Sequence, residues 1–341
     1  MQMTIEALRE LLARVAGRYV TATEATYFAY RYVENHLKKA PRYNLIAEAV
    51  ADLKVWWRLA GTKMETVVDQ GAVQVLNFNG LAPSLKIKQI HDELEQRARN
   101  SGIAALGFHN SAGIMTLGMW TDGLAERDII GIGMFNGGVE RCVPFGGARG
   151  LLGTNPLAYA IPTTDRPLTL DMATTEIAYL DAVQAKSDGR TLSPRAALDE
   201  RGRPTTDAAR AVNDDGIANL LPMGGGFKGY GLVMLIEILT GSLVRSLLSS
   251  RQTPGWNPTE YGCLLVAMDP SVFTDLDAFK SGIAELCQRI RQEPVAEGSD
   301  GVAIPGDRSH VRLTAALQQG VVDIDPKLVM DLERLAEGIS V

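Results

Sequence analysis

The sequence predicts a mixed α/β chain with a helical N-terminal part. Apolar residues recur at helical spacing up to Leu59, and from Thr66 the pattern changes to short aliphatic runs punctuated by Gly and Pro, which read as strands. The 341 residues are 46% hydrophobic and 22% charged, enough apolar content for a substantial core. Within the helical part, Ile5 to Ala16 interleaves Glu6, Arg9, Glu10 and Arg14 with Leu8, Leu11, Leu12 and Val15, and a second helix spans Thr23 to Leu37. A third is expected from near Pro41 to Trp57, with Pro41 in its first turn, where a missing N–H costs nothing.

Val67, Val68, Val73, Val75 and Leu76 read as strand, and Ile87 to Asn100 as a helix with Ile90, Leu94 and Ala98 on one face and a solvated His91. Strands follow at Ile103–Leu106, Ile129–Met134, Ala158–Ile161 and Leu168–Asp171, then an exposed polar loop from Pro194 to Asp207. The apolar run Gly231 to Leu248 predicts a buried helix, Gly262 to Met268 a buried strand, and Asp275 to Arg291 and Asp325 to Glu337 two further helices. Three parts result: a helical part (1–65), a central mixed-sheet part for cofactor and substrate (66–230), and a segment of helices and a strand completing the fold (231–341).

A net charge of −6 without concentrated Lys and Arg argues against nucleic acid as a partner. No run reaches the roughly 20 apolar residues that span a bilayer. Cys142, Cys263 and Cys287 are odd in number and widely spaced, which reads as reduced thiols in cytoplasm. No His, Cys or carboxylate cluster has metal-ligand spacing, so no metal is expected.

Three stretches carry chemistry. Met223-Gly224-Gly225-Gly226-Phe227-Lys228-Gly229-Tyr230-Gly231 leads into a helix, so its backbone N–H groups, the helix N-terminus and Lys228 suit a phosphate; a tight turn before a buried helix is the plain alternative. No Gly-x-Gly-x-x-Gly follows a first strand, so a Rossmann domain is not expected. Asp171, in Leu170-Asp171-Met172-Ala173-Thr174-Thr175, ends an apolar strand where a carboxylate meets a ligand or caps a following helix. Thr154 and Asn155, in Gly153-Thr154-Asn155-Pro156, are polar residues between apolar strands that must find hydrogen bonds, if only to tie their turn together.

In order and spacing these stretches resemble the type 2 malate/L-lactate dehydrogenases, a family that includes ureidoglycolate and sulfolactate dehydrogenases, diketogulonate reductase and piperideine-2-carboxylate reductases. The match runs from about Gly102 to Gly241 and continues more weakly through Ile304-Pro305-Gly306-Asp307. The resemblance implies that family's non-Rossmann NAD(P)-binding fold, a homodimer, NAD or NADP as cofactor and a small carboxylate as substrate. It also implies cofactor contacts at Asp171, Met172, Thr174, Phe227, Lys228, Pro305, Gly306 and Asp307, and substrate contacts at Thr154 and Asn155.

The family's histidines are replaced. Its general acid lies in Ser-His-Gly-x-x-Arg, whose arginine grips the substrate carboxylate; here Ala40-Pro41-Arg42 stands over Ser-His-Gly and Asn44 over the arginine. Its Asn-x-Asn-His falls on Asn110-Ser111-Ala112-Gly113. Lys39, Arg42, Tyr43 and His36 are therefore the candidate catalytic residues, with Asn44 assigned to substrate and His109 a further competitor. Lys39 would serve as proton donor if burial lowered its pKa, and Arg42 would replace the lost clamp; a solvated Lys38-Lys39 pair is the plain reading. Hydride reduction of a ketone creates an alkoxide, and losing a positioned acid costs on the order of 10²–10⁴-fold. A protonated imine needs no such acid. The missing histidines thus favour reduction of a C=N bond in a cyclic or 2-imino acid. The alternatives are a 2-hydroxy/2-oxo acid dehydrogenase with a relocated acid, and an inactive cofactor-binding paralogue.

Overall fold

Side-chain caps and β-alternation set the element boundaries in the computed structural model, which describes residues 1–40, 43–114, 116–253 and 260–339. The chain opens with β1 (Gln2–Thr4), α1 (Ile5–Ala16), α2 (Ala22–Lys38) and α3 (Leu45–Arg58). Thr4 caps α1 by accepting from Ala7 N, and Thr21 with Glu24 forms a reciprocal capping box on α2. The third helix begins later than expected. Asn44 accepts from Ala47 N at 3.1 Å and caps it, so Pro41 is not in its first turn. Pro41 and Arg42 lie outside the described residues, and with them the expected Arg42 clamp.

The hairpin β2 (Glu65–Gln70) and β3 (Val73–Asn77) turns at Gly71, whose φ of 56° suits glycine. α4 (Ile87–Ser101), β4 (Ile103–Ser111), α5 (Gly118–Ala125), β5 (Ile130–Phe135), β6 (Leu157–Ile161) and β7 (Leu168–Met172) follow. Next come α6 (Tyr179–Asp188), the small hairpin β8 (Ala197–Leu198) and β9 (Pro204–Thr205), α7 (Ala208–Ala211) and α8 (Phe227–Thr240). The chain closes with β10 (Tyr261–Met268), α9 (Pro270–Phe273), α10 (Leu276–Arg291), α11 (Asp307–Gln319), β11 (Val321–Asp323) and α12 (Pro326–Glu337). Among the described residues no helix is long and apolar enough to cross a membrane.

Seven strands form one sheet in the order β2-β3-β4-β10-β5-β6-β7, antiparallel except for the β3/β4 pair. β10, from the C-terminal third, lies between β4 and β5. The register places Asp171, Ala158, Gly133, Leu265 and Leu106 in one row across the strands, and residues of a row share a face. That face is covered by the helical layer, with Leu8, Leu12, Phe28, Leu53, Ile90 and Trp120 in the main core. The opposite face packs Met134 and Leu264 against Ile236 of α8 and Val244.

Three further expectations change. His91 is fully buried: its Nε2–H donates to Trp120 O at 2.8 Å, which leaves Nδ1 to accept from the Tyr27 hydroxyl at 2.8 Å. One face of α4 is thus sealed against α2 and α5, and burial drives the imidazole pKa down. The apolar run after Gly231 does not stay helical or buried throughout. α8 ends at Thr240, and Leu235, Ile238, Leu243 and Leu247 are exposed. Last, the polar segment 194–207 contains the β8/β9 hairpin and buries Ala196, Ala197, Leu198 and Asp199.

The helical layer buries a carboxyl that has no ion-pair partner among the described residues. Asp52 of α3 accepts hydrogen bonds from Tyr32 at 2.5 Å and from Ser84, and burial raises its pKa to about 7 against the opposing pull of the two hydroxyls. A carboxyl whose folded pKa is raised contributes stability that is complete below its unfolded pKa and lost as pH rises through the folded value, at about 1.4 kcal/mol for each tenfold difference in proton affinity between the two states. Denaturant unfolding from pH 5 to 8 should therefore show stability falling with pH, and Asp52→Asn should flatten that slope. An identical slope in the variant would assign the effect to other groups.

Candidate active site

The site is organised around Asp171 on edge strand β7. A carboxylate partly withdrawn from water needs donors, and Asp171 Oδ2 accepts three: from Lys39 Nζ at 2.7 Å, Thr116 Oγ1 at 2.7 Å and Gly118 N at 3.1 Å. Gly118 is the first residue of α5, so the carboxylate also meets the positive end of that helix. Asp171 lies within its strand and caps no following helix. Burial pushes its pKa up, but Lys39, Thr116 and the Gly118 N–H outweigh burial and hold it below the ordinary value.

Lys39 is the residue just past α2, with extended backbone (ψ 161°) that turns its side chain away from the helix. Burial pulls its pKa down and Asp171 raises it; the carboxylate wins, and the net shift is upward. The lowered pKa expected for a proton donor is therefore not found, and Lys39 stands as an ammonium. The lysine pair is not a solvated cluster either. Lys38 Nζ bridges Glu34 Oε1 at 2.7 Å and Asp122 Oδ2 at 2.8 Å. Burial drives the Asp122 pKa up, with Lys38 opposing it.

The remaining candidates are Tyr43, His36, His109 and Asn44. Tyr43 donates to Asp181 Oδ1 of α6 at 3.2 Å, and its backbone N–H to Ala40 O at 2.9 Å, so it stands on the Lys39 loop. His36 lies one turn before Lys39; its side chain makes no hydrogen bond among the described residues, Nδ1 is sealed off, and burial lowers its pKa. His109 sits an odd number of residues from Leu106 on β4 and so faces away from Asp171, on the far side of the sheet. Asn44 is occupied as the α3 cap.

Thr154 and Asn155 form a turn tied in from every side. Asn155 Nδ2 donates to Glu237 Oε2 at 2.7 Å and to Val233 O at 3.1 Å, its Oδ1 accepts from Gly137 N at 3.1 Å, and Thr154 Oγ1 donates to Gly137 O at 3.3 Å. The buried Glu237 carboxylate also accepts from Ser249 N at 2.6 Å and Ser249 Oγ at 3.0 Å. Sequence reasoning missed Glu237, although it is the one charged residue in the apolar run Gly231 to Thr240. Thr174 Oγ1 donates to the carbonyls of Thr154 (3.1 Å) and Asn155 (2.9 Å), and Thr174 O accepts from Met223 N at 2.9 Å. Met172 pairs with Leu157, its side chain on the opposite face from Asp171.

The glycine-rich stretch is connected to this turn through Met223 and through Gly224 N, which donates to Glu176 Oε2 at 2.6 Å. Gly224 and Gly225 have φ of 70° and 62°, and a Cβ at either would meet nothing within 4 Å, so their backbone is open to a ligand. Phe227 is 65% exposed and packs edge-to-face on Phe145, while Lys228 has no ion-pair partner among the described residues. Open positive-φ glycines, a 14-residue helix starting at Phe227 and a free lysine fit a dinucleotide phosphate. Pro305-Gly306-Asp307 lies against β7: a Cβ on Gly306 would fall 2.7 Å from Thr169 Oγ1. Asp307 is held by Arg291 Nη2 at 2.7 Å, by Ile304 N at 3.1 Å and by Arg166, and these hold its pKa far below the carboxylate range.

The sequence profile of the malate/L-lactate dehydrogenase family matches residues 4–333. The chain belongs to that family. It is 34% identical over 294 residues to the malate/(S)-sulfolactate dehydrogenase of Methanothermus fervidus, covering 82% of this chain and 83% of the relative. It is 32% identical over 288 residues to the Δ1-pyrroline-2-carboxylate/Δ1-piperideine-2-carboxylate reductase of Pseudomonas syringae, covering 81% and 78%. The solved sulfolactate dehydrogenase of Methanocaldococcus jannaschii superposes with a TM-score of 0.82 at 26% identity, over 99% of this chain and 97% of that one. This family member is a nicotinamide-dependent oxidoreductase with the family's mixed α/β fold.

Lys228 adds charge to an open loop and no core contact. Lys228→Ala should weaken NADH or NADPH binding roughly tenfold, as for one charge-assisted contact, with unchanged thermal unfolding. Equal cofactor affinity by fluorescence titration of the folded variant would remove Lys228 from the cofactor site.

Proposed function

We propose that the chain interconverts a small 2-oxo acid and its 2-hydroxy acid with NAD(H) or NADP(H), and that the Lys39 ammonium takes the role of the family's missing histidine. One observation carries this reading: Lys39 Nζ is fixed 2.7 Å from Asp171, on the face of the sheet covered by the helical layer. The bound nicotinamide supplies the hydride. Lys39 stabilises the oxygen on which negative charge develops and supplies its proton, and Asp171 orients the ammonium. Because Asp171 keeps Lys39 protonated, the pair suits reduction at neutral pH, and oxidation should accelerate as alkaline pH removes the proton.

The missing histidine was the premise for favouring C=N reduction, and Lys39 fills the vacancy. A cation beside a protonated imine also repels it. The imine reading keeps one support, the similarity to the pyrroline and piperideine carboxylate reductase. As to assembly, we propose a homodimer: Leu235, Ile238, Leu243 and Leu247 form an exposed apolar stretch on and just beyond α8 that a second copy would cover. The free cysteines Cys142, Cys263 and Cys287 support a reducing, cytoplasmic compartment.

A panel of 2-oxo acids with and without an amine, run with both reduced cofactors, tests the assignment. Lys39→Met should lower kcat for the 2-oxo acid by roughly 10²-fold or more while cofactor binding persists. A loss under about tenfold, with turnover appearing only when amine is present, would return the assignment to the imine.

A further inference from the structure

Arg141 is a cation without an acid. It follows the Gly137–Gly138 turn after β5, and among the described residues no carboxylate pairs with it, its neighbour Glu140 included. Backbone carbonyls take two of its five N–H groups: Nη1 donates to Gly137 O at 3.1 Å and Nε to Gly216 O at 3.2 Å. The guanidinium carbon lies 3.7 Å from the Tyr179 ring centroid. Burial pulls its pKa below the ordinary value, while Tyr179 and Tyr261 act the other way. A half-buried guanidinium is ordinarily matched by an anion. Among the described residues its only further side-chain hydrogen bond is to Tyr179, so the half-buried fork is left without an acid.

Shared hydrogen-bond partners place Arg141 beside the site. Gly137 O accepts from both Arg141 Nη1 and Thr154 Oγ1. Thr154 O accepts from Thr174, three residues after Asp171, which binds Lys39. In the other direction, Tyr179 begins α6, whose Asp181 accepts from Tyr43 on the Lys39 loop. Hydrogen bonds, the Tyr179 stack and short stretches of chain thus connect Lys39, Asp171, Thr174, Thr154, Arg141 and Tyr43. The family's clamp position is held by Asn44, whose side chain is used as a helix cap.

We propose that Arg141 binds a carboxylate of the substrate that is reduced beside Lys39. A planar fork paired with no acid is the chemistry that grips a carboxylate, and the contact with Tyr179 pre-orients it. The proposal rests on the 2-oxo acid reading above. Its test uses Arg141→Met and Arg141→Lys, with pyruvate, oxaloacetate and the neutral amide pyruvamide as substrates, and NADH and NADPH affinities measured separately. Arg141→Met should raise KM for at least one acid roughly 10- to 100-fold, leave pyruvamide KM and cofactor affinity within about twofold, and regain acid turnover in millimolar guanidinium chloride; Arg141→Lys should lie between. Unchanged KM for both acids, or a loss confined to cofactor affinity, would overturn the proposal. A second arm serves if the variants do not fold or neither acid is turned over: phenylglyoxal labelling of Arg141 in the NADH-bound native enzyme, read by peptide mass spectrometry, with and without oxalate. Protection by oxalate supports the proposal, and equal labelling overturns it. Failure of the native enzyme to reduce either acid would count against the reaction assignment alone.

Discussion

A half-buried carboxylate on an edge strand must be neutralised, and Asp171 meets that constraint with three groups from two separate parts of the chain. Lys39 comes from the end of α2, Thr116 from the segment before α5 and the Gly118 N–H from the start of α5. These bonds draw the helical layer onto the edge of the sheet. The adjacent Lys38 repeats the device with Glu34 and buried Asp122, so two successive lysines hold the end of α2 against two aspartates. Moving Lys39 would strand Asp171 without its cation, which is why the pair is a fixed feature of the site.

A second constraint acts from the other face. Glu237 brings a carboxylate into an apolar helix, and Asn155, Ser249 and the Gly153 backbone answer it, the last at 3.5 Å. Through Thr174 and Met223 the same hydrogen-bonded unit continues into the glycine-rich entrance to α8. The turn assigned to substrate and the loop assigned to cofactor are thereby parts of one braced framework. That suits hydride transfer, where reaction depends on holding two reactants at short distance and fixed angle.

Local chemistry makes much of this legible. Helical periodicity and a capping Thr place α1 at Ile5–Ala16, and Asp275 and Asp325 mark the starts of two late helices by capping them. Asp171, Thr154, Asn155 and Lys228 stand out as polar residues at strand ends and at a glycine-rich helix entrance, whereas Lys39 and Thr174 enter only through the family resemblance. His91 departs from its expected exposure because charged helix neighbours describe one face of α4 and say nothing about the face turned to Tyr27 and Trp120. The extent of α8 differs because an apolar run does not reveal where Gly241 breaks the helix or which side is left uncovered. Thr116, Gly118 and Arg141 carry no local signal at all.

By itself the sequence determined the family, most of the longer elements and most of the polar groups available to a site. These follow from short-range physics: period, capping and glycine conformation act within a few residues. Tertiary structure alone decided which groups meet. The pairing of Lys39 with Asp171 spans 132 residues, and it turned the expected shift in the lysine pKa from downward to upward. Protonation depends on what burial brings alongside a charge, and strand pairing with helix packing sets that neighbourhood, not any local pattern.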